Sequence, residues 1–357
     1  MHPLEKKVGR EIERHRLIGA GELVLVGVSA GPDSMALLHA LQRLSMVGGF
    51  RLAAAYVDHG LRPAETGTER ELVAATAGRL EIPWRSGTVA VRDYARREGL
   101  SLEHAARDLR YRFLAASAAQ LGADCLAVAH TADDQAEELL LRLLRGTARK
   151  GLAGMDILRR GGRQEGEPET ARGALKIIRP LLAVTKAEVL AYLAERGIPS
   201  AEDSSNRDLR FLRNRVRLEL LPWLEERFNP NVRETLRRTA AVLRDEEELL
   251  EHLADEAYRQ ALVFPRPAGR GRLDELRLDL VVFNDQPIAL RRRLLEKALW
   301  AMALRPAARQ IEQLLAGAGR SRDGVVAHLA AGVAVSREGG LLKFVRGTPG
   351  PRRRGAR

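Results

Sequence analysis

The sequence predicts an α/β fold: a doubly wound domain on a mostly parallel sheet, then a mainly helical domain with short C-terminal β pieces. Three observations predict it. Short apolar runs rich in Val, Leu and Ala alternate with helical stretches between residues 20 and 222. The first run, Leu23 to Val28, leads through a turn of small residues, Ser29-Ala30-Gly31-Pro32-Asp33-Ser34, into a helix with Leu37, Leu38 and Leu41 on one face. From Asn231 the apolar spacing turns helical: Val232, Leu236, Ala240, Leu243, Leu250, Leu253 and Ala257 mark one long amphipathic helix.

Taken in order, residues 3–18 read as an amphipathic helix, basic on its outer side. Leu23 to Val28 has no polar side chain, as a strand buried on both faces requires. Arg51 to Val57 is a second strand, ending in Asp58-His59-Gly60-Leu61-Arg62, and a helix runs from Thr68 to Leu80. Thr88 to Val91 is the expected third strand, and Glu103 to Gln120 a long helix carrying Arg107, Arg110 and Arg112. Cys125 to Ala129 is a fourth strand. His130-Thr131-Ala132-Asp133-Asp134-Gln135-Ala136-Glu137 follows and opens a helix to Leu144. Residues 159–175 are Gly-rich and charged, and read as a mobile surface loop. Ile177 and Ile178 form a short strand. Thr185, with Glu188 three residues on, is a capping box for a helix from Lys186 to Arg196. Asp203 to Asp208 is a turn, followed by an Arg-dense stretch from Phe211 to Arg217. Pro265, Pro267 and Gly269 break the long helix; more helix is expected near 287–304 and 307–316, and short β pieces within 325–345. The expected domains are 1–222 and 223–346, with a disordered basic tail at 347–357.

Composition narrows the function. The 357 residues carry a formal charge of +12, from 59 basic against 47 acidic side chains, which favours a polyanionic partner, most simply nucleic acid. Only 4% of residues are aromatic, which argues against a broad base-stacking platform. The single Cys125 excludes an internal disulfide and any four-cysteine zinc or iron–sulfur site, and suits a reducing compartment. No apolar run is long enough to span a bilayer and no signal peptide is evident, so a cytoplasmic protein without a membrane partner is expected.

A strand, a small-residue turn and a helix build an anion site. The first N–H groups of the helix lack intrahelical partners and lie at the positive end of its dipole. Ser29 and Ser34 add hydroxyls, and Gly31 lets the backbone approach a phosphate closely. An aspartate here repels the anion unless a Mg²⁺ bridges the two, which makes Asp33 the expected metal ligand; an N-cap role for Ser or Asp competes with this. No Gly-Lys-Ser/Thr follows, and no G-x-G-x-x-G is present, so the turn is neither a Walker A loop nor a dinucleotide fingerprint.

The turn resembles the S-G-G-x-D-S loop of the PP-loop ATP-pyrophosphatase superfamily, whose members split ATP between the α and β phosphates. Ala30 stands where that pattern usually has Gly, and the loop is expected to survive if φ there is negative. Four further stretches, in order, resemble the tRNA(Ile)-lysidine synthetase family. They are Val57 to Arg62; Glu103 with Ala106-Arg107 and Arg110-Tyr111; Ala129 to Glu137 with Arg145-Gly146; and Asp203-Ser204-Ser205-Asn206 with Arg213-Asn214-Arg215 and Arg217. The resemblance is strong over residues 20–222 and holds only in outline over 231–345.

The resemblance implies a ligase. ATP adenylates the C2 oxygen of the wobble cytidine in a tRNA(Ile) with a CAU anticodon; the ε-amine of lysine then attacks C2 and expels AMP. It implies ATP binding by Ser29, Ala30, Gly31, Pro32, Asp33 and Ser34, with Asp58 at the mouth of the second strand and Mg²⁺ on Asp33. Asp134 and Glu137, three residues apart at a helix start, share a face and suit a dicationic lysine, against the alternative of ordinary first-turn acidity. Arg107 would stabilise charge on the adenylated intermediate or on a phosphate. His130 would contact the adenylate or serve as base for the amine, or be structural. Arg213, Arg215 and Arg217 would meet tRNA. Asp58 as a plain turn residue, and the arginines as plain surface, remain open. Glu138 replaces a usual hydroxyl residue. The second domain would clamp tRNA; some relatives carry a further C-terminal domain, and this chain is expected to end before one. A monomer or a homodimer is expected. A thiolating relative would need more cysteines, and a non-catalytic RNA-binding module would leave Asp33, Asp134 and Glu137 without a purpose.

Overall fold

The computed structural model describes residues 1–61, 63–147, 149–160, 169–170, 173–201, 208–268 and 272–347. Arg62, the Asp203-Ser204-Ser205-Asn206 stretch and the tail from 348 lie outside them. The chain divides into two compact units, Met1–Arg244 and Asp245–Arg357.

The first unit opens with α1 (Pro3–Arg14), β1 (Leu23–Gly27), α2 (Pro32–Gly48), β2 (Arg51–Asp58), α3 (Pro63–Arg79) and β3 (Trp84–Thr88). It continues through α4 (Val91–Glu98), α5 (Leu102–Leu121), β4 (Cys125–Ala127), α6 (Ala132–Arg145) and α7 (Arg149–Leu152). Then come β5 (Leu158–Arg160), the two-residue strands β6 (Glu169–Thr170) and β7 (Gly173–Ala174), β8 (Lys176–Ile178) and α8 (Lys186–Arg196). It ends with α9 (Leu212–Arg215), a π-helical turn (Val216–Leu220), α10 (Leu221–Arg227) and the start of α11 (Val232–Ala261).

Six strands form one sheet in the order β3-β2-β1-β4-β8-β5, parallel except for β5. The period-two alternation of a strand explains its two covered faces. Val24 and Val26 join Leu37, Leu38 and Leu41 of α2 and Val189 and Tyr192 of α8 in one core. Leu23 and Leu25 join Tyr111, Leu114 and Ala118 of α5 in the other. Chain order reverses between β1 and β4: β2 lies to one side of β1 and β4 to the other. The crevice beyond the carboxyl ends of such a pair is where open α/β sheets bind ligands.

Three expectations change. The third strand is Trp84–Thr88 and not Thr88 to Val91. Its edge position leaves Arg85 and Ser86 exposed, so no apolar alternation marks it, while Val91 is buried at the start of α4. Part of the expected 159–175 loop is strand, because β5 pairs antiparallel with β8 and β6 with β7. Ala30 lies at φ +60°, in the left-handed region, and not at a negative φ.

That conformation is held from outside, since the Ala30 carbonyl accepts the Ala201 N–H at 2.9 Å. A non-glycine residue there carries about 1–3 kcal/mol of strain. Ala30→Gly would remove the strain, against about 0.4–1 kcal/mol through the freer unfolded chain and about 0.8 kcal/mol for one buried carbon. The expected net is a small gain, seen as a Tm higher by up to about 3 °C in thermal unfolding. A lower Tm would mean that methyl packing outweighs the strain.

The second unit holds the rest of α11, then β9 (Leu262–Ala268), β10 (Arg272–Asp279), α12 (Leu280–Asp285), α13 (Ile288–Ala301) and α14 (Ala308–Ala318). Strands β11 (Gly324–His328), β12 (Val333–Glu338) and β13 (Leu341–Arg346) complete it. Five strands form a sheet in the order β11-β12-β13-β10-β9. Leu276, Leu278, Val335, Leu342 and Phe344 of this sheet pack against Leu294, Leu295 and Leu299 of α13. The prolines that end α11 do not end regular structure: Pro265 and Pro267 lie in β9, where an edge position tolerates their missing N–H. Among the described residues no helix is long and apolar enough to cross a membrane.

Candidate active site

Four elements converge at the crevice. The loop after β1 enters α2 with Gly31 as N-cap and Pro32 at the first helical position, so Asp33 is not the cap. The Ser34 hydroxyl accepts the Ser29 N–H at 3.1 Å and donates to the Gly31 carbonyl at 2.9 Å, which closes the loop into a cradle. The hydroxyls of Ser29 and Ser34 lie 3.3 Å apart.

The Asp33 carboxylate reaches across to α8, where Lys186 Nζ donates to both of its oxygens at 2.7 Å. Burial nevertheless pushes the Asp33 carboxyl above its ordinary value, with the nearby charge of Asp134 acting the same way against Lys186. One carboxylate beside two hydroxyls at a helix N-terminus is a donor set that fits Mg²⁺ carried in with a nucleotide's phosphates.

Thr131 caps α6, and its N–H and hydroxyl both donate to Asp134 Oδ2, at 2.8 and 3.0 Å. Asp134 Oδ1 accepts Arg213 Nη2 at 2.8 Å and Arg217 Nη2 at 3.4 Å. Glu137, only 1% exposed, accepts Arg213 Nε at 3.0 Å and Arg217 Nε at 2.6 Å. Burial works against the Asp134 carboxylate, but Arg213, His130 and the Thr131 N–H hold it below its usual range. Arg213 and Arg217 are four residues apart across the start of the π-helical turn, so both face α6. These two arginines, expected on tRNA, therefore sit on the two carboxylates expected to bind lysine. Arg215, between them, is exposed.

The other expected residues take varied positions. His130 follows β4, and its Nδ1 accepts Arg179 Nε at 3.2 Å. Arg107 is exposed, its guanidinium carbon 5.3 Å from the Tyr111 ring centre, with that of Arg110 at 5.4 Å. Asp58, at the end of β2, turns its carboxylate to the Gly60 N–H at 2.7 Å, as a turn aspartate does. Glu138 pairs with Arg142 at 2.7 Å.

Sequence reasoning missed Lys186, Asp133 and Arg179. Asp133 Oδ2 accepts the Lys186 backbone N–H at 2.7 Å, tying the first turns of α6 and α8 together. A local signal for Lys186 existed: a cation in a helix's first turn opposes the dipole and needs an anion to hold it. Cys125 is buried, and burial pushes its thiol up to about 12.

A loop of this geometry at a sheet's switch point defines a nucleotide-using α/β protein, and the PP-loop domain model matches residues 4–224. The chain is 36% identical to the tRNA(Ile)-lysidine synthase of Symbiobacterium thermophilum over 97% of its length and 70% of that protein. It is 36% identical to that of Thermus thermophilus over 92% of its length and 58% of that protein. With the Dehalococcoides mccartyi enzyme the identity is 37%, over 73% of this chain and 54% of the relative. The chain belongs to the tRNA(Ile)-lysidine synthase family. It thus spans between about half and 70% of the length of these relatives. Membership in the PP-loop group implies use of ATP. A solved structure, the U34-tRNA thiolase of Methanococcus maripaludis with its [4Fe–4S] cluster, superposes with a TM-score of 0.54 at 18% identity. It covers 68% of this chain and 78% of the thiolase, and shows the shared fold.

Proposed function

We propose that this chain joins lysine to the wobble cytidine of tRNA(Ile) with a CAU anticodon, in two steps. The cytidine C2 oxygen attacks the α-phosphate of ATP, releasing pyrophosphate; the lysine ε-amine then attacks C2, and the C2–O bond breaks to release AMP. The observation that carries this reading is the buried Asp134–Glu137 pair, already holding two cationic side chains, beside the phosphate cradle at Asp33. A carboxylate pair that stabilises guanidinium charge is one that selects a cationic amino acid.

The cradle's serine hydroxyls and helix N–H groups receive phosphate oxygens. Asp33 would hold Mg²⁺, which when bound neutralises charge on the departing pyrophosphate. Lys186, now paired with Asp33, is placed to follow the same phosphates. Lysine enters by displacing a guanidinium from Asp134 and Glu137. Arg217 is the more exposed of the two and its Asp134 contact is the longer, so it yields Asp134 first, although it holds Glu137 the more closely. Released, Arg217 joins the exposed Arg215 in facing tRNA phosphates, and the basic chain beyond α10 supplies the rest of a tRNA clamp. Flipping the cytidine out of the anticodon loop costs a few kcal/mol, least where it is already single-stranded. A reducing, cytoplasmic setting suits this substrate and the lone thiol. Thiolation is the poorer reading, since a buried thiol pushed up to about 12 offers no sulfur nucleophile.

The test supplies ATP, Mg²⁺, labelled lysine and a tRNA(Ile) transcript, and follows AMP and label. Label is expected in the tRNA only when the wobble cytidine is present. AMP without label would keep the adenylation step and refute lysine as the amine.

A further inference from the structure

We propose that Arg179 holds His130 as the tautomer protonated at Nε2, and that His130 serves by donating that proton in a hydrogen bond to a substrate oxygen, not by accepting one from lysine. The second half rests on the function proposed above. A guanidinium offers only N–H donors, so across the 3.2 Å between Arg179 Nε and His130 Nδ1 the arginine donates and Nδ1 keeps its lone pair. A neutral imidazole with an unprotonated Nδ1 carries its hydrogen on Nε2. That one lone pair is engaged by Arg179, so none is free to act as a base.

Arg179 cannot turn away. It is 3% exposed, its Nη1 donates to the Asp156 carbonyl at 2.6 Å, and its backbone N–H donates to the Ile157 carbonyl at 2.8 Å. The charges around the ring agree. Burial pushes His130 well below the ordinary histidine value, and Arg179 beyond β8, Arg110 on α5 and Arg213 on α9 push the same way; Asp134 on α6 opposes them. With Nδ1 taken by Arg179, and with burial and the surrounding arginines favouring the neutral ring, Nε2–H is the donor that the ring keeps for a substrate.

The experiment is ¹⁵N NMR of the histidine rings in the full chain, with the His130 signals assigned by their loss in His130→Gln. The expected spectrum has Nε2 protonated, Nδ1 not, and no titration at the ordinary histidine value. Arg179→Lys, which keeps a donor, is expected to preserve that pattern, and Arg179→Met to let His130 titrate. An Nδ1-protonated ring, or a wild-type ring that titrates normally, overturns the lock. If Arg179→Met does not fold, the wild-type spectrum still decides. For the donor role, His130→Gln retains an N–H and is expected within about tenfold of wild-type kcat, while His130→Phe loses about 10²–10³-fold. Equal loss in both overturns it. A shift of the Nε2–H signal on adding a non-hydrolysable ATP analogue alone assigns the acceptor to a phosphate; a shift only with tRNA assigns it to the cytidine. No shift with either refutes the donor role. A wild-type protein that incorporates no lysine refutes the functional reading, while the ring spectrum still judges the lock.

Discussion

Glu137→Gln is expected to raise the lysine KM by about 10²-fold or more and to leave the KM for ATP close to that of wild type. Glu137 is 1% exposed and makes its hydrogen bonds to two guanidiniums through both oxygens. Removing a buried, hydrogen-bonded charge partner costs about 2–5 kcal/mol of binding, hence the size of the effect. Gln keeps the volume and one acceptor, so the fold should hold. Glu137→Ala is the harsher change, because it takes from the half-buried Arg213 and Arg217 the carboxylate that both share. It is expected to destabilise the first unit by about 3–5 kcal/mol, visible as a large drop in the urea midpoint. Titrating lysine in the labelled-incorporation assay reads the first effect. A lysine KM unchanged in Glu137→Gln would place the amino acid elsewhere, and the Glu137–arginine cluster would then be structural.

Asp33→Asn is expected to lower AMP formation by about 10²–10³-fold while leaving thermal stability equal or higher. Burial raises the folded-state carboxyl of Asp33 above its ordinary value despite the Lys186 ion pair. The folded chain then binds the proton more tightly than the unfolded one. The resulting stability is complete below the unfolded value and is lost as pH rises through the folded value. At neutral pH the ionised carboxylate is therefore held at a cost to folding, and a neutral isostere removes that cost. Lys186, 39% exposed, finds water and the Asn carbonyl in place of the carboxylate. Tm measured at neutral pH beside single-turnover AMP release separates the two effects. A Tm several degrees lower in Asp33→Asn would show that the Lys186 pair outweighs burial; full activity would remove Asp33 from phosphate chemistry.

Much of this protein was determined by local pattern. The β1–loop–α2 unit, the capping boxes at Thr131 and Thr185, and the long helices follow from spacing that each segment carries within itself. So does the shared face of Asp134 and Glu137. What only the tertiary structure decided are contacts between segments far apart in sequence. Lys186 meets Asp33 across 153 residues, Arg179 meets His130 across 49, and Arg213 and Arg217 turn inward because α6 presents two carboxylates to them. Nothing in an Arg-dense stretch read alone tells an outward arginine from an inward one. The positive φ of Ala30 is likewise set by its distant partner, Ala201, and the strand at Pro265 and Pro267 by its place at a sheet edge. Periodicity records which face of an element is buried; it does not record which charge waits on the facing element, and in this site those charges define the chemistry.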